Sequence, residues 1–466
     1  MAQMVSDPGS FRDPAGHVFS SDSKIYRSVF SPGVHDFLAL RDAGIYDKLI
    51  KAGLLFPHQE TEIPESAPEG TVYCLNHPRI PMISYPWEWP LSMLKDAAII
   101  HLQAMELLIP EGFWLRDASA FNVQYDGRRL RLIDTLSLGQ RLPDSPWVAY
   151  GQFCSHFLAP IALAAYVDIR TLSLWRQYSD GYPLDLATSM LPFWRRYKPG
   201  LFMHLTLHAR MQTQANRARD GGKLKPQKKP KVGDRSLIGL VRSLRRTIDK
   251  IRGKGKYGVW EKYTDIRSYS SDDIVEKSDY VERVVAELNP QMVWDLGANT
   301  GEFSLLAASK GALVVSIDGD PVCTEILYRK IFKEGGTGTI LPLTMNLANP
   351  SPGLGWDNRE RLSLRDRGPA DLTLALALLH HLVFSSYVPL PLIAKWFSSI
   401  SKHLLVEFVP PGDPMVKKML LHRGGDHLPY SLELFKHSFG NFFDFVGEKV
   451  LPNGRKIYLC KSRRKS

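Results

Sequence analysis

VWDLGANTGEFS, residues 293–304, decides the architecture of the second half of this chain. Val293 to Leu296 read as a short buried strand, and the apolar period becomes helical just after Gly301. Gly297 and Gly301 permit a sharp bend and close approach to a ligand, while Asn299 between them tolerates left-handed geometry. A glycine-rich bend alone says little. One helix later a second strand, VVSIDGDP at 314–321, ends in Asp318, where an acidic side chain can accept both hydroxyls of a ribose.

Outward from this stretch, strand-like and helix-like runs alternate over 292–296, 302–309, 312–318, 321–332, 340–346, 371–379, 390–400, 404–409 and 431–439. Such alternation implies a parallel sheet covered on both faces. The last two runs, 443–450 and 456–461, are joined by Pro452-Asn453-Gly454 with no helix between them, which predicts an antiparallel hairpin.

The order strand, D-x-G-x-N-x-G, helix, strand, Asp resembles motifs I and II of class I methyltransferases dependent on S-adenosyl-L-methionine. A G-x-G-x-x-G spacing that would seat a pyrophosphate is absent, and Asp295 at the head of the bend suits a cationic methionyl amine better than a diphosphate. The resemblance implies an α/β, Rossmann-like, seven-stranded methyltransferase domain. It also implies a cofactor site at Asp295, Gly297, Asn299, Gly301, Phe303 and Asp318, with Asn346 at the adenine edge. The plainer alternative makes Asp295 and Asp318 helix caps and Gly297 a turn glycine.

After the fourth strand, within ADLTLALALLHHL, come His380 and His381, at the carboxyl end where open α/β sheets place their chemistry. Methyl transfer is an in-line displacement that needs a base only when the acceptor must lose a proton, a task suited to a histidine near neutrality. Either may instead be a packed strand-end residue. Glu407, closing the fifth strand, is a third catalytic candidate, with a strand-end carboxylate held by backbone N–H groups as its alternative. Trp356 and Arg359, in the Gly/Pro-rich loop 350–364, and Trp260, Tyr263 and Tyr269, ahead of the first strand, are candidates to cover cofactor or acceptor, or are simple packing.

The first half carries a different pattern. Following a helical run from Leu91 to Leu108, LRDASAFNVQYDGRRLRLIDTLS at 115–137 sets Arg116-Asp117 five residues before Asn122, with Asp134 closing a strand-like LRLID. This resembles the R-D-x-x-x-x-N and metal-binding Asp spacing of kinase catalytic loops. In that reading Asp117 accepts a hydroxyl proton, and Asn122 and Asp134 hold magnesium with a nucleotide if the half is active. Leu115 replaces the usual histidine, Thr135-Leu136 replaces Phe-Gly, and neither a glycine-rich phosphate loop nor a V-A-I-K lysine is found upstream. The expectation is therefore an N-terminal α+β domain resembling a degenerate protein-kinase-like fold, against a helix-hairpin module with structural Asp and Asn residues.

At 466 residues, two domains and a linker are expected. The net charge of +11 is local: residues 210–256 hold sixteen lysines and arginines against three aspartates, leaving about −2 elsewhere. DGGKLKPQKKPK at 220–231 reads as a solvated linker, and SLIGLVRSLRRTIDKI at 236–251 as an amphipathic helix with a basic face. The expected division is 1–219 kinase-like, 220–256 basic linker and helix, and 257–466 methyltransferase. Four scattered cysteines give neither a disulfide framework nor a metal site. The eleven-residue apolar run 157–167 is too short to span a bilayer, and the N-terminus lacks a signal peptide, so a cytoplasmic protein is expected.

Across most of its length, including DASAFNVQ, PWVAYGQFCSHFLAP, DLGANTGEFS, PSPGLGW and EFVPPGDP, the chain resembles a bacterial group of two-part methyltransferases, some of them nodulation-associated. That implies methyl transfer and leaves the acceptor open; the expected arrangement has the first half bind or present the acceptor, a small molecule or oligosaccharide ahead of protein or RNA. The competing readings are a bifunctional methyl- and phosphotransferase, and a non-catalytic scaffold that binds RNA or an anionic membrane through its basic linker.

Overall fold

The computed structural model describes residues 4–220, 231–252, 271–332, 338–421 and 429–464. Two compact units emerge: an N-terminal unit of Met1–Gly255 together with Leu354–Arg361, and a C-terminal unit of Lys256–Gly353 together with Leu362–Ser466.

The N-terminal unit opens with five antiparallel strands, β1 (Val5–Ser6), β2 (Val18–Ser21), β3 (Lys24–Phe30), β4 (Gln59–Thr61) and β5 (Thr71–His77), in the order β1-β2-β3-β5-β4. Burial alternates along β2, which turns one of its sides inward, and on β5 the successive residues Cys74 and Leu75 are buried on opposite faces. Helix Leu91–Leu108 spans the unit and buries Leu94, Ala98, Leu102 and Met105 at the i, i+4 spacing of one face. Two short antiparallel pairs follow: β6 (Phe113–Leu115) with β9 (Leu138–Gln140), and β7 (Val123–Tyr125) with β8 (Leu130–Leu132). The remainder is helical.

Helix Asp234–Lys250 packs against Leu91–Leu108 through the buried side chains of Leu237, Val241, Leu244 and Ile248. Arg245 reaches Glu106 at 3.2 Å. The compact unit thus runs on past residue 220, because the apolar stripe of this basic helix has a helix to cover it. Residues 221–230 of the linker, and Trp260, Tyr263 and Tyr269, lie outside the described residues.

In the C-terminal unit the strands are β10 (Met292–Leu296), β11 (Leu313–Asp318), β12 (Ile340–Thr344), β13 (Ala370–Ala375), β14 (Ser401–Phe408), β15 (Phe443–Val450) and β16 (Lys456–Ser462). Their order is β12-β11-β10-β13-β14-β16-β15, a seven-stranded Rossmann-like methyltransferase sheet. The first five strands of that row run parallel, and β16 enters antiparallel between β14 and β15. The sequence reading predicts the final hairpin but not that its second strand inserts inside its first. Insertion follows from burial: β16 is apolar on both faces over Ile457–Cys460, whereas β15 is largely exposed and suits an edge. Val281, Val284 and Val285 of helix Ser271–Leu288 cover one face of the sheet over Val293, Val314 and Leu372. No helix among the described residues is long and apolar enough to cross a membrane.

Candidate functional site

At the carboxyl ends of β10, β11 and β13 the C-terminal unit opens a cleft of about 430 Å³. Its rim is set where the strand order reverses, since β10 pairs with β11 on one side and β13 on the other, and the connections diverge there. Gly297, Asn299 and Gly301 adopt φ of 75°, 50° and 82°, so the bend after β10 is left-handed at alternate positions. At Gly301 a side chain is excluded twice over: a Cβ there would lie 2.5 Å from Leu327 Cδ1.

Of the residues singled out from the sequence, Asp295, Gly297, Asn299, Phe303, Asp318, Asn346, His380 and His381 line this one cleft. Gly301 supports it as the cap of helix Glu302–Ser309. Asp295 is buried at the end of β10 and accepts from Ser304 Oγ at 2.6 Å. Burial pushes its carboxyl up to about 6, against the lowering pull of that serine. Asp318 accepts from the backbone N–H groups of Asn299, at 2.7 Å, and Asp320, at 2.8 Å. Its carboxyl is also raised, by burial. Asn346 turns back on its own loop, Oδ1 accepting from Ala348 N at 2.9 Å.

His380 and His381 stack with ring centroids 4.3 Å apart. Burial, His381, Arg455 and Lys277 together hold His380 far below the usual imidazole range, so it is neutral at physiological pH. Its Nδ1 is buried with no hydrogen-bond partner among the described residues. His381 is lowered too, by burial and then Arg455.

Glu407 is not among the residues lining the cleft. It is fully buried, and its carboxylate takes Lys277 Nζ at 2.6 Å, Arg455 Nη1 at 3.4 Å and the backbone N–H of Ala377 at 3.0 Å. Arg455 in turn reaches Asp413 through Nε at 2.8 Å. This corrects its reading as a polar group of the cleft, because every oxygen already faces protein donors. Ala377 sits at φ 51°, a strained value for a residue with a Cβ, and the Glu407 hydrogen bond pins it beside the histidines. Sequence reasoning missed Lys277, Arg455 and Asp413, of which the first two line the cleft. Trp356 and Arg359 do not line it: they belong to Leu354–Arg361 of the N-terminal unit, where Trp356 is 72% exposed.

Within the N-terminal unit, Asp117 Oδ1 accepts from Gln152 Nε2 at 2.6 Å and Ser119 N at 2.9 Å. Asp134 follows β8, caps the turn Thr135–Ser137 through Leu136 N, and pairs with Arg27 Nη2 at 2.6 Å. Arg27, from β3, also meets Asp13 at 3.1 Å. Asn122 Nδ2 is buried and has no partner among the described residues. Backbone links Asn122 to the strand before Asp134, since its carbonyl accepts from Ile133 N at 2.8 Å. Arg27 escaped the sequence reading, which looked for a lysine. Among the described residues no group of three or more His, Cys, Asp or Glu is placed to hold a metal ion.

No family model matches the chain. Nodulation protein NoeA of Rhizobium meliloti strain 1021 is 32% identical over 461 residues, spanning 98% of this chain and 95% of that protein. Among solved structures, magnesium protoporphyrin IX methyltransferase ChlM from Synechocystis PCC 6803 with bound SAH is 18% identical, covering 44% of this chain and 94% of its own, with a TM-score of 0.30. The bifunctional kinase-methyltransferase WbdD is 20% identical, covering 45% of this chain and 43% of its own, also at 0.30. Those two scores are too low to argue from, and the fold rests on the strand order given above.

Proposed function

The chain belongs to the family of the nodulation protein NoeA, and from that premise we propose that it is an S-adenosylmethionine-dependent methyltransferase whose N-terminal unit binds or presents the acceptor. The observation that carries this reading is the pair of carboxylates, buried Asp295 and partly buried Asp318, at the ends of neighbouring parallel strands on either side of a left-handed glycine bend. Among the described residues neither has a cation within ion-pair distance, and burial raises both. A ligand that brings a positive charge and a diol would relieve that cost. The donor set therefore fits S-adenosylmethionine: Asp295 toward the methionyl amine, Asp318 toward the ribose hydroxyls and Asn346 toward the adenine. When bound, that cofactor supplies an electrophilic methyl group on a sulfonium.

The protein's own part is to orient and to take a proton. The glycine bend admits close approach, Phe303 adds an apolar wall, and His380, a neutral imidazole among the cleft-lining residues, is the group to take a proton from an acceptor hydroxyl or amine. Glu407 is a positioning residue, fixing Ala377, Lys277 and Arg455. The proposed division of labour is residues 1–219 kinase-like, 220–256 basic, and 257–466 methyltransferase. Kinase-likeness of the first part is supported by its antiparallel sheet and by Asp117, Asn122 and Asp134 falling on one stretch of short hairpins. The acceptor is a small molecule or oligosaccharide, met in the cytoplasm.

Calorimetry with S-adenosylhomocysteine tests the reading. Wild type should bind, and Asp318→Ala should bind about 10- to 100-fold more weakly, the worth of one or two charge-assisted hydrogen bonds. Equal affinity in both proteins would remove the ribose assignment, and no binding to either would remove the cofactor.

A further inference from the structure

The N-terminal unit carries a surface that methyl transfer does not use. Residues 192–198 read PFWRRYK: Pro192 starts a single helical turn, Phe193–Arg196, with Tyr197 directly after it. Phe193 is 67% exposed and Trp194 70% exposed, among the highest values for large apolar side chains here. Their rings are not scattered. Phe193 and Tyr197, four apart and so on one side of the turn, lie 5.0 Å apart, and Tyr197 stacks on Phe202 at 5.8 Å. Met203, next along, is exposed as well.

Cations ring this apolar tip, and they are held back from it. Arg195 lies 4.3 Å over the Tyr166 ring and Lys198 5.4 Å over the same ring. Arg196 donates to the backbone carbonyls of Leu191 at 2.9 Å and Ser189 at 2.6 Å. Between Asp185 and Asp220 the chain has six arginines and lysines and no acidic residue. Bulky exposed aromatics beside basic side chains, on a stretch of sequence without an acidic residue, match the boundary between lipid headgroups and acyl chains. There rings find an amphipathic layer and guanidinium groups find phosphate. A single-stranded nucleic acid would need flat, open ring faces to stack on. Here Tyr197 has Phe193 on one side and Phe202 on the other.

We propose that Phe193, Trp194 and Tyr197 form a membrane-surface anchor that seats the N-terminal unit on an anionic bilayer, with Arg195, Arg196 and Lys198 at headgroup level. The anchor is independent of the methyl-transfer site and of the basic linker, and it lies in the plane of the interface.

The test is flotation of the full chain with vesicles of phosphatidylcholine alone and of phosphatidylcholine with phosphatidylglycerol, two to one. Wild type should float with the anionic vesicles and stay behind with the neutral ones, and high salt should weaken the association without abolishing it. Phe193→Ser with Trp194→Ser should lower partitioning by about tenfold or more, from lost apolar insertion. Phe193→Leu with Trp194→Leu should restore most of it, which separates insertion from a folding defect. With Lys228 and Lys229 of the linker neutralised, the serine pair should still lower partitioning by about tenfold, and loss of that difference would overturn the proposal. Equal flotation of wild type and the serine variant would overturn the proposal. So would serine-sensitive binding to polyuridylate without vesicle binding, or a serine-sensitive dimer by light scattering without vesicle binding.

Discussion

In the C-terminal unit, Asp295 meets a serine hydroxyl and Asp318 two backbone N–H groups, leaving both carboxylates turned toward a cleft. In the N-terminal unit, Asp134 is gripped by the Arg27 guanidinium and Asp117 by the Gln152 amide. The same residue type thus faces a cleft in one unit and meets protein side chains in the other. A buried acid whose countercharge must arrive with a ligand costs stability when the site is empty. One that carries its own guanidinium, as Asp134 does, has less to gain from a cation, although burial still raises its carboxyl ahead of the lowering pull of Arg27. The contrast accords with the proposed cofactor site in the second unit.

The largest expected effect tests whether the cleft does proton chemistry at all. His380→Gln should reduce transfer of a labelled methyl group into an extract of cells lacking this protein by about 10²- to 10⁴-fold, with affinity for S-adenosylhomocysteine unchanged. Undiminished transfer would leave His380 as packing. Next come the internal ion pairs. Glu407→Ala removes the carboxylate shared by Lys277 and Arg455 in the interior, leaving Arg455 with Asp413, and urea unfolding should register a loss of about 3 to 5 kcal/mol. Arg27→Met, beside partly solvated Asp13, should cost less, about 1 to 3 kcal/mol. The reverse ranking would break the comparison.

Those two predictions also mark where sequence reading stopped. Strands and helices of the C-terminal unit were legible because a parallel sheet covered by helices writes its burial into local periods. The run 390–400, for example, is the helix Leu390–Ile400 to the residue. Gly297, Asn299 and Asp318 were legible because bend and strand end are close in sequence. Lys277, Glu407 and Arg455 come from a helix and two strands far apart along the chain, and no spacing announces an ion pair closed by tertiary packing. Glu407 looked catalytic from its position at a strand end; only its three donors reveal it as scaffold. Arg27 was invisible for another reason: its strand was searched for a lysine motif, and arginine serves the same carboxylate.

A proton-linked effect should follow. The Asp295 carboxyl, raised to about 6 in the free protein, must be ionised to meet a cationic amine. Below about pH 6 binding has to expel a proton, so affinity for S-adenosylhomocysteine should fall by up to about tenfold per pH unit, and stay level above it. Asp295→Asn should bind weakly at every pH and lose the slope. For the empty protein the sign reverses: since the folded carboxyl lies above its ordinary value of 3.8, Asp295 favours folding most below pH 4 and loses that contribution as pH rises through about 6. The smallest effect concerns the N-terminal unit. With Arg27 on Asp134, magnesium should add less than about 1 kcal/mol to any nucleotide-dependent gain in stability, followed by thermal unfolding. A large magnesium-dependent rise would make the two units alike after all, and would favour the bifunctional reading.

Leu354–Arg361 leaves the chain between β12 and β13 yet is part of the N-terminal unit, where Glu360 receives a two-pronged grip from Arg12 at 2.8 and 3.0 Å and Arg361 covers the Phe121 ring at 4.3 Å. A protease nick within 221–230 would therefore not yield two free products. The C-terminal fragment would keep both the helix Asp234–Lys250 and the segment Leu354–Arg361 in the N-terminal unit, and the cleaved protein should elute from a sizing column as one species until denaturant releases them. Expressing either half alone would leave Arg12 without its carboxylate or Glu360 without its guanidinium, so inheritance of the two as a single gene product has a mechanical basis in that short segment.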